Sequence, residues 1–116
     1  MIANRLLPFA LTLALAASGC AFVPRENLRL KEARQAQARL LGNAEVVALA
    51  PAEVRRAREA FERALEASNS LQDPALVDHL SYVARQRAAI AIEAAQRVAA
   101  ERAAAGQMRQ IAGRQL

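Results

Sequence analysis

Asp78, Tyr82 and Arg85 follow one another at intervals of four and three residues, with His79 beside the first. On an α-helix that spacing sets a carboxylate, a phenol and a guanidinium on one face. Such a face could grip a polar ligand or supply an acid–base group. A plainer reading stands beside it: Asp78 favours the positive end of a helix, and Tyr82 covers the flank of a helical hairpin. A thin bundle offers little concavity, so the structural role is the expectation. Cys20, the only cysteine, is the second chemical candidate. It has no second thiol for an intramolecular disulfide. A catalytic thiol would want a positioned base, and the only histidine, His79, is far along the chain. One histidine and one cysteine build no metal site. Gly42, Gly106 and Gly113 are too scattered for a phosphate-cradling loop.

The surroundings of Cys20 say more. Arg5 is the only charge before it, an apolar run extends from Leu6 to Leu15, and Ala16-Ala17-Ser18-Gly19 leads into the cysteine. That is the pattern of a secretory signal peptide. The run is too short to span a bilayer, which takes ~20 apolar residues. A cleavable signal ending in cysteine resembles a bacterial lipoprotein signal. The resemblance implies that the Cys20 thiol takes a diacylglycerol, that cleavage falls between Gly19 and Cys20, and that the new amine is acylated. Ala17 stands three before the cysteine, where such signals most often have leucine. Ala21 resembles the sorting pattern for the outer membrane. The implied location is the periplasmic face of the outer membrane, with the covalent lipid on Cys20 and no other cofactor. The chain then divides into a signal (1–19), a lipidated anchor and linker (20–23) and a helical domain (24–116).

Residues 20–116 suffice for one small domain. Aromatics there are only Phe22, Phe61 and Tyr82, and alanine is abundant. Alanine is the best helix former but buries little area. Apolar runs of period two are absent, so no sheet is expected. The net charge of +5 is uneven. Arg25–Arg39 carries five positives against two negatives, Glu45–Asp78 four against seven, and Arg85–Arg114 six against two. Outside the cytoplasm, nucleic acid is not an expected client. Anionic lipid, lipopolysaccharide or peptidoglycan carboxylates suit the basic ends better. A solvated, salt-bridged helix surface is the preferred reading. On the second helix Arg55–Glu59, Arg58–Glu62 and Glu59–Arg63 sit four apart and support helicity.

Prolines punctuate the domain. Pro24, Pro51 and Pro74 each suit a first helical position. Asp73-Pro74 is the clearest start, with Asp73 as cap. Gly42-Asn43 suits a left-handed stop, as does Ser68-Asn69-Ser70. Three helices are therefore expected, at about 24–41, 51–68 and 74–112. The short link at Asn69–Asp73 makes the last two antiparallel neighbours, with Leu71 closing the turn. Val46, Val47 and Leu49 suggest that the segment before Pro51 is packed. The fold class is all-α: a lipid-anchored antiparallel hairpin with a third packed helix, in a three-helix bundle with a long C-terminal helix.

The seams follow a heptad. The first helix offers Leu30, Ala33, Leu40 and Leu41. The second offers Val54, Ala57, Phe61, Ala64 and Ser68, with Leu65 beside them. The third offers Leu76, Leu80, Val83, Arg87, Ile90, Ala94, Arg97, Glu101, Ala104, Met108 and Ile111. Folding the hairpin brings Phe61 near Leu80 and Val83. By length the second helix covers only the first half of the third, leaving the rest to the first helix, another chain or solvent.

Leu49-Ala50-Pro51-Ala52-Glu53-Val54 with Ala57-Arg58-Glu59-Ala60, and Val77-Asp78-His79-Leu80-Ser81-Tyr82-Val83-Ala84-Arg85-Gln86-Arg87, carry a second resemblance. Together they resemble the alanine- and arginine-rich envelope domain called domain of unknown function 4398, over roughly Asn27 to Ala105. The resemblance implies a helical module, often lipidated and often set before an OmpA-like peptidoglycan-binding domain. With the sequence running to Leu116, that second domain is expected to be absent. The family supplies no established activity. The expected function is non-catalytic: a helical adaptor or structural module of the cell envelope, held at the outer membrane, with an envelope protein or a second copy as partner. Arg25, Arg29, Lys31 and Arg34 lie close to the anchor and could touch lipid phosphates. The alternative is direct binding of peptidoglycan or lipopolysaccharide through Arg97, Arg102, Arg109 and Arg114. The candidate partner or ligand surface comprises Asp78, His79, Tyr82, Arg85, Arg97, Arg102, Met108 and Arg109.

Overall fold

The computed structural model describes residues 26–115. Among these the chain is all-α, with four helices and no strand. They are α1 (Leu28–Leu41), α2 (Ala44–Leu49), α3 (Pro51–Asn69) and α4 (Pro74–Arg114). The expected signal, the expected Gly19–Cys20 cleavage point, Pro24 and Arg25 lie outside the described residues.

Two starts follow the expected chemistry. Pro74 opens α4, and the Asp73 carboxylate accepts from the Ala75 amide at 3.0 Å. Pro51 opens α3 without a side-chain cap. The first helix corrects the expectation. It begins at Leu28, because the Asn27 side chain accepts from the amides of Arg29 at 2.8 Å and Leu30 at 3.2 Å. Those bonds satisfy first-turn donors at Asn27 itself. Gly42 is not left-handed (φ −75°). Asn43 instead caps the extra helix α2, accepting from the Val46 amide at 3.3 Å. The left-handed residue lies in the hairpin, at Leu71 (φ 53°). There the amides of Gln72 and Leu71 reach back to the carbonyls of Ala67 and Ser68, closing the end of α3. Leu71 does not close the turn with its side chain, which is 92% exposed.

The core runs as a gradient of shared contacts. Leu30 packs with Ala64, Ala67 and Val77; Ala33 with Ala60 and Ala84; Leu40 with Val54, Ala57, Ala88 and Ala91. Moving up α1 thus moves down α3 and up α4. So α1 and α4 run parallel, with α3 antiparallel to both. The short α2 and the Ala50 that follows it close the upper end through the buried Val46 and Ala50, with Leu49 half-buried. Phe61 packs against the same clusters as Leu80 and Val83, as expected.

The seam of α4 differs from the expected one by a single residue throughout. Val77, Ser81, Ala84, Ala88, Ala91 and Ala95 are buried, each one position beyond Leu76, Leu80, Val83, Arg87, Ile90 and Ala94. One residue turns a helix by ~100°. On α3, Ala60 and Ala67 are buried, while Phe61 and Ser68 are half-buried. On α1, Gln37 is buried and Leu41 exposed. The reason is close approach. Alanines on α3 and α4 let the backbones draw together, since interaxial distance follows the side chains at the contact. Phe61, Leu65, Leu80 and Val83 then fold across the joint from the side. A seam of large residues would hold the helices apart.

Helix α4 outruns its neighbours. At 41 residues it is ~62 Å long. Both α1 and α3 pack on its first half. From Ala100 to Gln115 every residue is exposed except the half-buried Gly106.

Candidate functional site

The face of Asp78, His79, Tyr82 and Arg85 is occupied by the fold itself. Asn27 Nδ2 donates to Asp78 Oδ1 at 2.9 Å. Arg85 Nη1 donates to Glu32 Oε2 at 2.9 Å. Glu32 also receives Arg29 at 3.4 Å. The carboxylate and the guanidinium thus face α1 partners instead of each other. His79 is exposed, and Tyr82, at 57% exposure, covers little of the hairpin flank. Sequence reading missed Asn27 and Glu32 because it started α1 at Pro24. The signal that could have found Asn27 is its type, a strong cap residue directly before Leu28-Arg29-Leu30.

The cations of α1 expected to lie near an anchor at Cys20 are partly engaged as well. Glu26 Oε1 takes Nε and Nη2 of Arg34 at 2.9 and 2.7 Å. The same guanidinium lies 5.7 Å from the Phe61 ring centroid. Lys31 remains exposed. On α3 the ion pair formed is Glu53–Arg56 at 2.8 Å, three apart. The four-apart pairs expected there are not among the ion pairs of the described residues.

Concavity is slight. A hollow of about 160 Å³ lies between α2 and α4, lined by Asn43, Val46, Ile92, Ala95 and Gln96. Another, of about 280 Å³, lies between α1 and α4 beside Ala36, Arg39, Arg85 and Ile92. Both are smaller than a usual ligand pocket of ~300–1,000 Å³. Two hollows at the hairpin end, of about 470 Å³ beside Asn27, Ser68, Leu71 and Val77 and about 320 Å³ beside Arg63, Glu66, Ser70 and Leu80, reach that range but are broad and open to solvent. Among the described residues no group of His, Cys, Asp and Glu could hold a metal ion, and no helix is long and apolar enough to cross a membrane.

Two core polar groups went unnoticed in the sequence. Gln37 and Ser81 are buried, and their side-chain polar atoms have no hydrogen-bond partner. Gln37 lies at seam spacing between Ala33 and Leu40, so its position was readable from the heptad.

The remaining candidates lie on the free end of α4. Met108 and Ile111 are 69% and 51% exposed. Counting 100° per residue, Ala104, Met108 and Ile111 share one face, turned ~140–180° from the buried alanine seam. Ile90, further down the same outer strip, is 41% exposed. Arg97 falls on this strip. Arg102 and Arg109 are seven apart and share a different face. Arg114 lies ~140° round from Arg109. The four arginines therefore wind around the helix. Arg109 Nε also lies 3.4 Å from the Ala105 carbonyl.

The structure thus presents a helical module with Leu76, Tyr82, Ile90, Met108 and Ile111 exposed along one long helix, and Leu28, Leu41, Val47 and Leu71 exposed elsewhere. A family model matches residues 29–107, under the description Domain of unknown function (DUF4398). No curated protein and no solved structure matches the chain. The match covers more than half of the sequence and includes both stretches that carried the resemblance, so the chain belongs to the DUF4398 family.

Proposed function

We propose that this protein is a non-catalytic, lipid-anchored module of the cell envelope that docks a partner helix on the outer strip of α4. The signal-like N-terminus and Cys20 support anchoring at the periplasmic face of the outer membrane. One observation carries the docking role: Ile90, Met108 and Ile111 line the outer face of a helix whose last turns contact no other element among the described residues. An isolated helix of ~15 residues is marginal in water. Gly106 and Gly113 weaken this one further. A partner that buried the strip would supply the missing stabilisation. The alternative, direct binding of peptidoglycan or lipopolysaccharide, has less support, because Arg97, Arg102, Arg109 and Arg114 do not form one stripe.

Photo-crosslinking in living cells from a probe at Met108, with the anchor intact, tests the reading. Discrete protein adducts are expected. Crosslinks confined to cell wall or lipid would favour the alternative. A Cys20→Ser chain should lose membrane fractionation and its lipid mass. Unchanged fractionation would remove the anchor.

A further inference from the structure

We infer that the occupant of the α4 strip is the same strip of a second copy, packed antiparallel and centred on Ala99. The inference rests on the docking reading above and names its partner. Helix α4 carries two heptad seams one residue apart. The alanine seam is used within the chain. The other runs from Arg87 through Ile90, Ala94, Arg97, Glu101, Ala104 and Met108 to Ile111; all of its residues are exposed except Ala94, which is half-buried at the edge of the core.

That second seam is complementary to its own reverse. Centred on Ala99, Ile90 meets Met108 of the second copy, and Ala94 meets Ala104. Arg97 meets Glu101, and the aliphatic stem of Arg87 lies over Ile111. Twofold symmetry makes each pairing twice. Both exposed apolar groups that meet at Ile90 and Met108 are thereby covered, and the two seam charges flanking the centre, Arg97 and Glu101, neutralise each other across it.

Competing registers fail on the same residues. Sliding one heptad in one direction sets Ile90 against Glu101. Sliding in the other sets Arg97 against Met108. A parallel, in-register pair opposes Arg97 to Arg97 and Glu101 to Glu101, which is repulsive. The antiparallel register also places the two Pro74 ends ~75 Å apart. Asn27 stands seven positions after Cys20, a reach of at most ~25 Å. Two copies anchored in one membrane would therefore lie along its surface.

Cysteine crosslinking of the full-length chain in cells tests the pairing. The double variant Ile90→Cys with Met108→Cys should form a disulfide-linked dimer, since these positions are ~27 Å apart within one chain. Ile90→Cys alone should not, because the two copies of that position are equally far apart. A dimer from Ile90→Cys alone would overturn the antiparallel register. Charge exchange gives a second readout in the double-cysteine background. Arg97→Glu should reduce the dimer several-fold, Glu101→Arg likewise, and the two together should restore it. No restoration would overturn the Arg97–Glu101 pairing. If Met108 probes trap a different protein and the cysteine pair stays monomeric, self-pairing falls and docking stands. If neither reagent traps a protein, both fall.

Discussion

Glu32 Oε2 accepts from Arg85 Nη1 at 2.9 Å, joining α1 to α4 across 53 positions of sequence. Seven residues earlier on α4, Asp78 receives Asn27 at 2.9 Å. The two bonds are polar clips along a single joint. They explain the polar face of α4 without a ligand. Both lie at the surface, so their strength is modest. Arg85→Ala should lower unfolding stability by less than about 1 kcal/mol, and a double-mutant cycle with Glu32→Ala should show a coupling of similar size. Denaturant unfolding of the four chains measures it. Additive losses would mean the pair contributes no interaction of its own.

The one-residue offset of the α4 seam makes a sharp contrast between neighbours. Ala91 is fully buried, and Ile90 is on the outside. Ala91→Leu should destabilise by about 1–3 kcal/mol or more, because the added volume forces apart helices that meet on alanine. Ile90→Ala should cost under about 1 kcal/mol in the unpaired chain. The reverse ranking would show that the larger residues form the core after all.

Gln37 puts a full amide into the core with no partner for either of its polar atoms. An unsatisfied buried polar group costs ~1–3 kcal/mol. Gln37→Met keeps the length and removes the amide, so its thermal midpoint should rise. A lower midpoint would mean the amide finds a hydrogen bond in solution.

Leu71 holds a left-handed backbone with its side chain in solvent. A leucine there bears a strain of ~1–2 kcal/mol and gains no burial. Leu71→Gly removes the strain, though glycine adds freedom to the unfolded chain. A net gain of about 0.5–1 kcal/mol in chemical unfolding is expected. A loss would show that Leu71 packs against something when the protein is in its native setting.

Much of this fold is legible in the sequence because its punctuation is chemical. Asp73-Pro74 and Pro51 mark two helix starts directly, and the short hairpin link forces α3 and α4 together. Helix periodicity is also plain, yet its phase is not. Two heptad patterns coexist on α4, and the larger residues suggest the wrong one. The choice is made by alanines on two helices at once, which depends on how closely α3 and α4 approach. A single helix does not reveal that. The cap at Asn27 was hidden by a more conspicuous proline, and α2 was hidden by its brevity. The polar face of Asp78 and Arg85 was visible as a pattern, whereas its partners, Asn27 and Glu32, are brought to it only by the parallel packing of α1.

Hydrogen exchange across residues 100–114 tests the central claim most directly, namely that a partner helix covers the free end of α4. The full-length protein would be isolated from cells at native abundance and compared with the same protein diluted to the monomer. Amides of this segment should be protected in the extract and exchange rapidly on dilution, while the α3–α4 joint around Ala91 stays protected in both. Equally fast exchange of residues 100–114 in both samples would contradict the account and leave this end of α4 as solvated helix.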